Sequence, residues 1–360
     1  MSNNQFCFSK KLIFIVIFLF IIVVFSYQIN FLKSKRYSFN SKAAPPKSQK
    51  RIINGVLADQ GEFPFSVILF KKGWVDLEHS VNSVYDLSKA FICGGVLIKP
   101  QWVLTAAHCV YDIISYCSVM NCHAAEYFGI FSNSNTKKIT YSGSLKNHDN
   151  YSDILNIYVP KNYGEVAAIY YQNNIKNIVQ NLPIFTNDIA LLRLKKPTKG
   201  IKDFPLFPSN DTYYLPGNEV TSIGYGCTNY SLTPTVMPTT GERKYFLESD
   251  YLYKVSWPIQ PQYIEQIAPS TIISITPYPK KVESIFLVGN PSSQLNKSLC
   301  PGDSGSPTFL KKDNKTYLLG INMEIVLGEY SFPNVETKAA FYSKWINDNI
   351  PTPTARKNQD

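Results

Sequence analysis

The sequence predicts an all-β protein with one α-helix near its C-terminal end, and three observations predict it. From residue 52 onward, short runs of β-branched, aliphatic and aromatic residues recur between turn residues: 65–70, 96–98, 189–194, 220–223, 285–288 and 317–321. Many short strands at such spacing suit a barrel or a sandwich. One segment near the end, 339–350, has a helical period, with Phe341, Trp345, Ile346 and Ile350 on it and Pro351 and Pro353 closing it. The composition, 44% hydrophobic and 14% aromatic over 360 residues, supports at least one packed core and excludes a disordered chain.

The chain begins differently. After Lys10-Lys11 come apolar residues from Leu12 to Phe25 without interruption. A basic start before an apolar stretch of about 7–15 residues has the pattern of a secretory signal, whereas a spanning helix needs about 20. Residues 1–26 therefore read as a signal peptide cut after Ser26, or as a retained signal anchor. Both export the rest.

Residues 27–51 read as a basic pro-segment or linker, broken by Pro45-Pro46 and without apolar periodicity. The net charge of +10 comes from 36 basic and 26 acidic residues. Nine of the basic ones (Lys10, Lys11, Lys33, Lys35, Arg36, Lys42, Lys47, Lys50 and Arg51) lie in 1–51, which holds no acid. Removing those nine leaves 27 basic against 26 acidic, a net of +1 for residues 52–360. A nucleic-acid partner thus loses its electrostatic support. A membrane is a partner only if the N-terminal segment is retained. Residues 351–360 read as a frayed tail.

Cysteine usage agrees with export. Cys7 precedes the apolar run and six follow it: Cys93, Cys109, Cys117, Cys122, Cys227 and Cys300. An even number in an exported chain suggests three disulfides. Cys117 and Cys122 are near enough in sequence to clip their own loop. His79, His123 and His148 are scattered, so no metal-ligand cluster is expected, and no cofactor.

Four segments carry chemistry: Arg51-Ile52-Ile53-Asn54-Gly55, Cys93-Gly94-Gly95 with Leu104-Thr105-Ala106-Ala107-His108-Cys109, Asn187-Asp188-Ile189-Ala190-Leu191-Leu192, and Cys300-Pro301-Gly302-Asp303-Ser304-Gly305. In this order they resemble the trypsin/chymotrypsin family of serine proteases, from Ile52 to about Ile350. The resemblance implies two six-stranded antiparallel β-barrels with a C-terminal α-helix, as one protease domain over 52–350. A serine hydroxyl attacks only when a base takes its proton, and an imidazole serves as base when a carboxylate fixes its tautomer. By resemblance His108 is the general base, Asp188 its orienting carboxylate and Ser304 the nucleophile. The N–H groups of Gly302 and Ser304 would form the oxyanion hole, each worth about 10²–10³ in rate.

Cleavage after Arg51 would free the Ile52 α-amino group to pair with Asp303. The resemblance thus implies a monomeric, exported zymogen that acts on proteins or peptides and is cut by an activating protease with trypsin-like preference. A protease fold kept only for binding and a membrane-anchored protease are the alternatives.

The spacings are longer than the family's. His108 to Asp188 is 80 residues and Asp188 to Ser304 is 116, against about 45 and about 93 in the template. The excess is expected as surface loops in roughly 111–182 and 228–290. Ser298 stands where the trypsin branch has Asp at the base of the specificity pocket, with Leu299 beside it. Ile325 and Asn334 replace two pocket-wall glycines, so a shallow apolar pocket without Arg/Lys preference is expected. Cys93–Cys109 matches a family bridge. The family partner of Cys300 is missing, and Cys227, the one left over, lies in a segment that resembles the turn beside the catalytic loop; this predicts Cys227–Cys300.

Overall fold

The computed structural model describes residues 52, 55–78, 84–164, 166–173, 178–236, 243–260, 283–289, 299–324 and 334–351, all within the unit Gln49–Asp360. In chain order the strands are β1 (Val56–Leu57), β2 (Ser66–Lys71), β3 (Val84–Asp86), β4 (Phe91–Lys99), β5 (Trp102–Thr105), β6 (Phe128–Ser132), β7 (Lys138–Thr140), β8 (Tyr151–Tyr158), β9 (Val166–Asn173) and β10 (Ile178–Phe185). They continue with β11 (Ala190–Leu194), β12 (Glu219–Gly224), β13 (Cys227–Val236), β14 (Arg243–Glu248), β15 (Tyr253–Gln260), β16 (Ile285–Val288), β17 (Pro307–Lys312), β18 (Lys315–Glu324) and β19 (Asn334–Lys338). Helices α1 (His108–Met120) and α2 (Ser343–Asn349) interrupt them.

Two closed six-stranded barrels result. The first runs β11-β5-β4-β2-β6-β8. The second runs β15-β12-β17-β18-β19-β16 and closes through β15–β16, with β1 added outside β15. Neighbouring strands are antiparallel, as in Leu191↔Leu104 and Leu69↔Ile130 of the first barrel. Closure removes the free sheet edges that a short-stranded β protein would otherwise expose. Local sequence explains the second barrel well. In β15, Tyr253, Val255, Trp257 and Ile259 are buried while the residues between them are not, the period of two that a half-buried strand requires. In β2, Val67 to Phe70 are all buried, because one face fills the barrel and the other is covered by neighbouring elements.

The expected strands all form, with ends moved by a few residues. The expected helix over 339–350 splits into a 3₁₀ turn at Ala339–Tyr342 and α2. The stretch expected as surface loops departs more. Residues 111–182 contain most of α1 and two barrel strands, β6 and β8, and the hairpin β9–β10 begins there. A second hairpin, β13–β14, and the barrel strand β15 occupy parts of 228–290, so the surface-loop expectation fails there too. In β6 and β8, Phe128, Ile130, Tyr151 and Ile154 reach the core. In β8 the apolar residues are diluted by Ser, Asp and Asn, and β6 is a short run broken by Gly129, which hides the pattern. Residues 12–25 lie outside the described residues; among those described, no helix is long and apolar enough to cross a membrane.

Three disulfides staple the chain: Cys93–Cys109, Cys117–Cys122 and Cys227–Cys300. The second clips the C-terminal end of α1, where Asn121 takes a left-handed conformation at φ 52° and the Cys122 N–H returns to the Cys117 carbonyl. Loop-closure entropy ranks the two outer staples. Cys117–Cys122 spans 5 residues and Cys227–Cys300 spans 73. Replacing the first pair by Ser should cost roughly 2 kcal/mol of unfolding free energy, and the second roughly 4. Urea unfolding of the two double variants checks the order, and equal losses would contradict it.

Candidate active site

The site residues come from both barrels. His108 opens α1 immediately after β5, and Asp188 precedes β11, the partner of β5 in the first barrel. Asp188 grips His108 twice. Its Oδ1 accepts from the His108 backbone N–H at 2.8 Å, and its Oδ2 lies 2.7 Å from His108 Nδ1. Side-chain exposure is 3% for Asp188 and 35% for His108, so the carboxylate is sealed and one edge of the ring remains open. The second barrel braces the pair, since Thr337 Oγ1 of β19 donates to the Asp188 carbonyl at 2.9 Å.

Ser304 lies on the loop before β17. That loop is pinned to the first barrel by the Gly94 N–H, which donates to the Ser304 carbonyl at 2.9 Å. It is pinned to the second by Gly305 N–H to the Asn322 carbonyl, also 2.9 Å. Gly305 has φ +76°, and a Cβ there would lie 2.2 Å from Thr105 Oγ1 and 2.6 Å from the Gly94 carbonyl. Only glycine therefore lets the Ser304 loop pack against the segment that ends at His108. Among the described residues, the N–H groups of Gly302 and Ser304 meet no acceptor, so two adjacent donors are available to an incoming anion.

Asp303 is fully buried. Its Oδ1 accepts from the Gly226 N–H at 2.7 Å and its Oδ2 from the Cys300 N–H at 2.8 Å. Burial drives its carboxyl up to about 7, against those two bonds and the charge of Lys137. Ile52 is buried in the cluster that contains Val220, Trp257 and Leu299, at φ +39°, which is strained for a β-branched residue. Leu299 and Asn334 are buried too, whereas Ser298, Ile325 and Arg51 lie outside the described residues. Ring and sulfur atoms of His108, Cys93 and Cys109 approach within 4.8 Å of one another, but both sulfurs are spent in a disulfide.

Sequence reading missed Glu336. It sits fully buried on β19, opposite Asn322 of β18 and two residues beyond Asn334 on the same face. A directed chain of hydrogen bonds ends on it. Trp257 Nε1 donates to Ser222 Oγ (3.1 Å), Ser222 to Thr308 Oγ1 (2.6 Å), and Thr308 to Glu336 Oε1 (2.9 Å). Glu336 Oε2, the Asn322 side-chain amide and Ser306 Oγ are buried without a partner among the described residues. Ser306 fits only because residue 94 is glycine, whose added Cβ would meet Ser306 Oγ at 1.9 Å. Burial raises the Glu336 carboxyl to about 8, so at neutral pH it is a neutral acid that presents no charge to a substrate. No signal in the polar run Asn334-Val-Glu-Thr-Lys338 announces this, since buried acids are rare.

The sign of that shift sets a prediction. The folded state holds a proton on Glu336 that the unfolded chain releases above about 4.5, so this group withdraws stability as pH rises from about 4.5 to about 8. Glu336→Gln should gain on the wild type across that window by about 1.4 kcal/mol per pH unit. Urea midpoints at pH 5 and pH 8 test it; a constant difference between the two proteins would contradict it.

Comparison with known proteins agrees with this geometry. The sequence pattern of the Trypsin family matches residues 52–346. Serine protease SSP1 of Scolopendra subspinipes is 28% identical over 311 residues, covering 83% of each chain. Kallikrein 1-related peptidase b27 of Mus musculus is 25% identical over 312 residues, 86% of this chain and 92% of that one. Vitamin K-dependent protein C of Mus musculus is 24% identical over 321 residues, 83% of this chain but 52% of that one. With the family pattern running through both barrels and the Ser304 loop, this chain belongs to the trypsin family.

Proposed function

We propose that the protein is a serine endopeptidase made as a zymogen. The observation that carries this reading is the doubly bonded His108–Asp188 pair beside a pinned loop whose Gly302 and Ser304 N–H groups have no acceptor among the described residues. His108 takes the proton of Ser304 as Oγ attacks a peptide carbonyl, and Asp188 holds the ring with Nδ1–H directed at itself and stabilises the imidazolium. The carbonyl oxygen becomes an anion that Gly302 N–H and Ser304 N–H receive. His108 then returns the proton to the leaving amine, and water releases the acyl group from Ser304 by the same steps in reverse.

Activation follows from Ile52. Residues 1–26 serve as signal peptide or anchor, and 27–51 as pro-segment, cut after Arg51 by another protease. The catalytic domain is 52–350, with 351–360 as a tail. The strained φ of Ile52 favours a chain free to relax there, and Asp303 is a buried acid suited to a new α-amino partner. The product is a secreted monomer, or an anchored domain outside the membrane if the N-terminal segment is retained, and it acts on proteins or peptides.

Specificity is the finer part of the proposal. Leu299 and Asn334 are buried, and the nearest acid on the same strand, Glu336, is neutral at pH 7. A pocket of this kind offers no counter-charge to Lys or Arg and accepts small or medium aliphatic side chains. The test is N-terminal sequencing of the extracellular product together with hydrolysis of peptides that differ only in the residue before the cut. Expected are a product that begins at Ile52, cleavage after aliphatic residues, and no hydrolysis by Ser304→Ala. A preference for Arg or Lys would refute the pocket reading, and hydrolysis retained in Ser304→Ala would refute the mechanism.

A further inference from the structure

One buried cation has no place in the reading above. Lys137, in the turn between β6 and β7, is 1% exposed. Its backbone N–H donates to the Asp250 carbonyl at 2.6 Å, its Nζ donates to the Tyr225 carbonyl at 3.1 Å, and the Nζ lies 4.4 Å from the centre of the Phe91 ring. Burying an ammonium costs several kcal/mol, so such a group persists where carbonyls, ring faces and a carboxylate compensate it.

Its surroundings lead to the nucleophile loop. Tyr225, which accepts from Lys137, precedes Gly226, whose N–H holds Asp303 Oδ1 at 2.7 Å. Phe91, whose face receives the ammonium, also lies 3.3 Å from where a Cβ on Gly302 would stand, and the Gly226 Cα lies 3.1 Å from that point. Lys137, Gly226 and Asp303, all buried, thus pack with the partly buried Phe91 and Gly302 as one group at the proposed oxyanion donors. The positive charge of Lys137 favours the ionised form of Asp303, opposing the burial that penalises it. In the uncut chain the Ile52 nitrogen is an amide and carries no charge.

We infer that Lys137 is a built-in positioning residue for the oxyanion loop, supplying cationic support to Asp303 while Ile52 is still joined to Arg51. The uncut chain therefore keeps part of the turnover of the cut enzyme. This rests on Ser304 being the nucleophile and adds a form of regulation to that site: cutting raises an activity already present.

The experiment uses the full chain carrying Arg51→Gln, which blocks the cut, with p-nitrophenyl acetate as an activated ester that needs the nucleophile and oxyanion hole but no specificity pocket. Ser304→Ala sets the background. Arg51→Gln should hydrolyse the ester above that background. Adding Lys137→Met should lower kcat about tenfold or more with KM changed less than about twofold, and Lys137→Arg should restore most of the loss, as expected for a charge that orders transition-state donors. Cooperative melting identifies which variants fold; if Lys137→Met does not, Lys137→Gln, which keeps a donor for Tyr225 without the charge, replaces it. The inference is overturned if Arg51→Gln is silent while the cut wild type is active, if kcat survives loss of the charge, or if a folded Lys137→Arg is no better than Lys137→Met. A cut wild type with no turnover would instead overturn the nucleophile reading itself.

Discussion

The carboxylate of Asp303 is the constraint on which the rest of the site depends. It is fully buried, and two backbone N–H groups, of Gly226 and Cys300, hold it from opposite sides. Those residues flank the Cys227–Cys300 disulfide, so a covalent bond and two hydrogen bonds converge on one short segment. Gly224 and Gly226 are glycines for the same reason, because a Cβ on either would come within 2.7 Å of the Asp303 carboxylate. With residue 303 fixed, residues 302 and 304 on either side of it have little freedom. Their N–H groups meet no acceptor among the described residues, and the Ser304 carbonyl is taken by Gly94. The positions of the proposed nucleophile and oxyanion donors thus follow from where one acid is buried.

Burying that acid close to Glu336, whose carboxyl its charge helps to raise, is an expensive arrangement for a barrel core. The second barrel accommodates it with polar partners aligned across four strands, from Trp257 through Ser222 and Thr308 to Glu336. The first barrel contributes differently. Its core is mainly apolar, with a few buried hydroxyls such as Ser66, Thr105 and Ser132, and it serves as a support, with β5 leading into His108 and β11 placing Asp188 beside it. Thr337 ties the two together at the Asp188 carbonyl. Rigid strands on both sides suit chemistry that depends on donors and base being in place before substrate arrives.

Much of this was legible in the sequence. Strands with a clear apolar run, such as β11 and β16, could be read directly, and so could the late helix, whereas β15 lay inside a stretch expected as surface loop. The order of the His108, Asp188 and Ser304 segments led to a two-barrel fold, and the resemblance led to the Cys227–Cys300 pairing. What escaped was polar or diluted by polar residues. The strands β6 and β8 and the helix α1 lay inside a stretch rich in Asn, Ser and Tyr, where packing in three dimensions decides the structure and local pattern does not. Lys137 and Glu336 escaped because the default for a charged residue is solvent. Their burial becomes visible only when the turn after β6 is laid against Tyr225, and β19 against β18.

The central claim is that Ser304 is a nucleophile that this surrounding structure activates. The most direct measurement is treatment of the protein cut after Arg51 with a fluorophosphonate, followed by mass spectrometry of the digested product. The account predicts one adduct, on Ser304, and its loss in His108→Ala. An unmodified Ser304 in a correctly cut and folded protein, or equal labelling without His108, would contradict it.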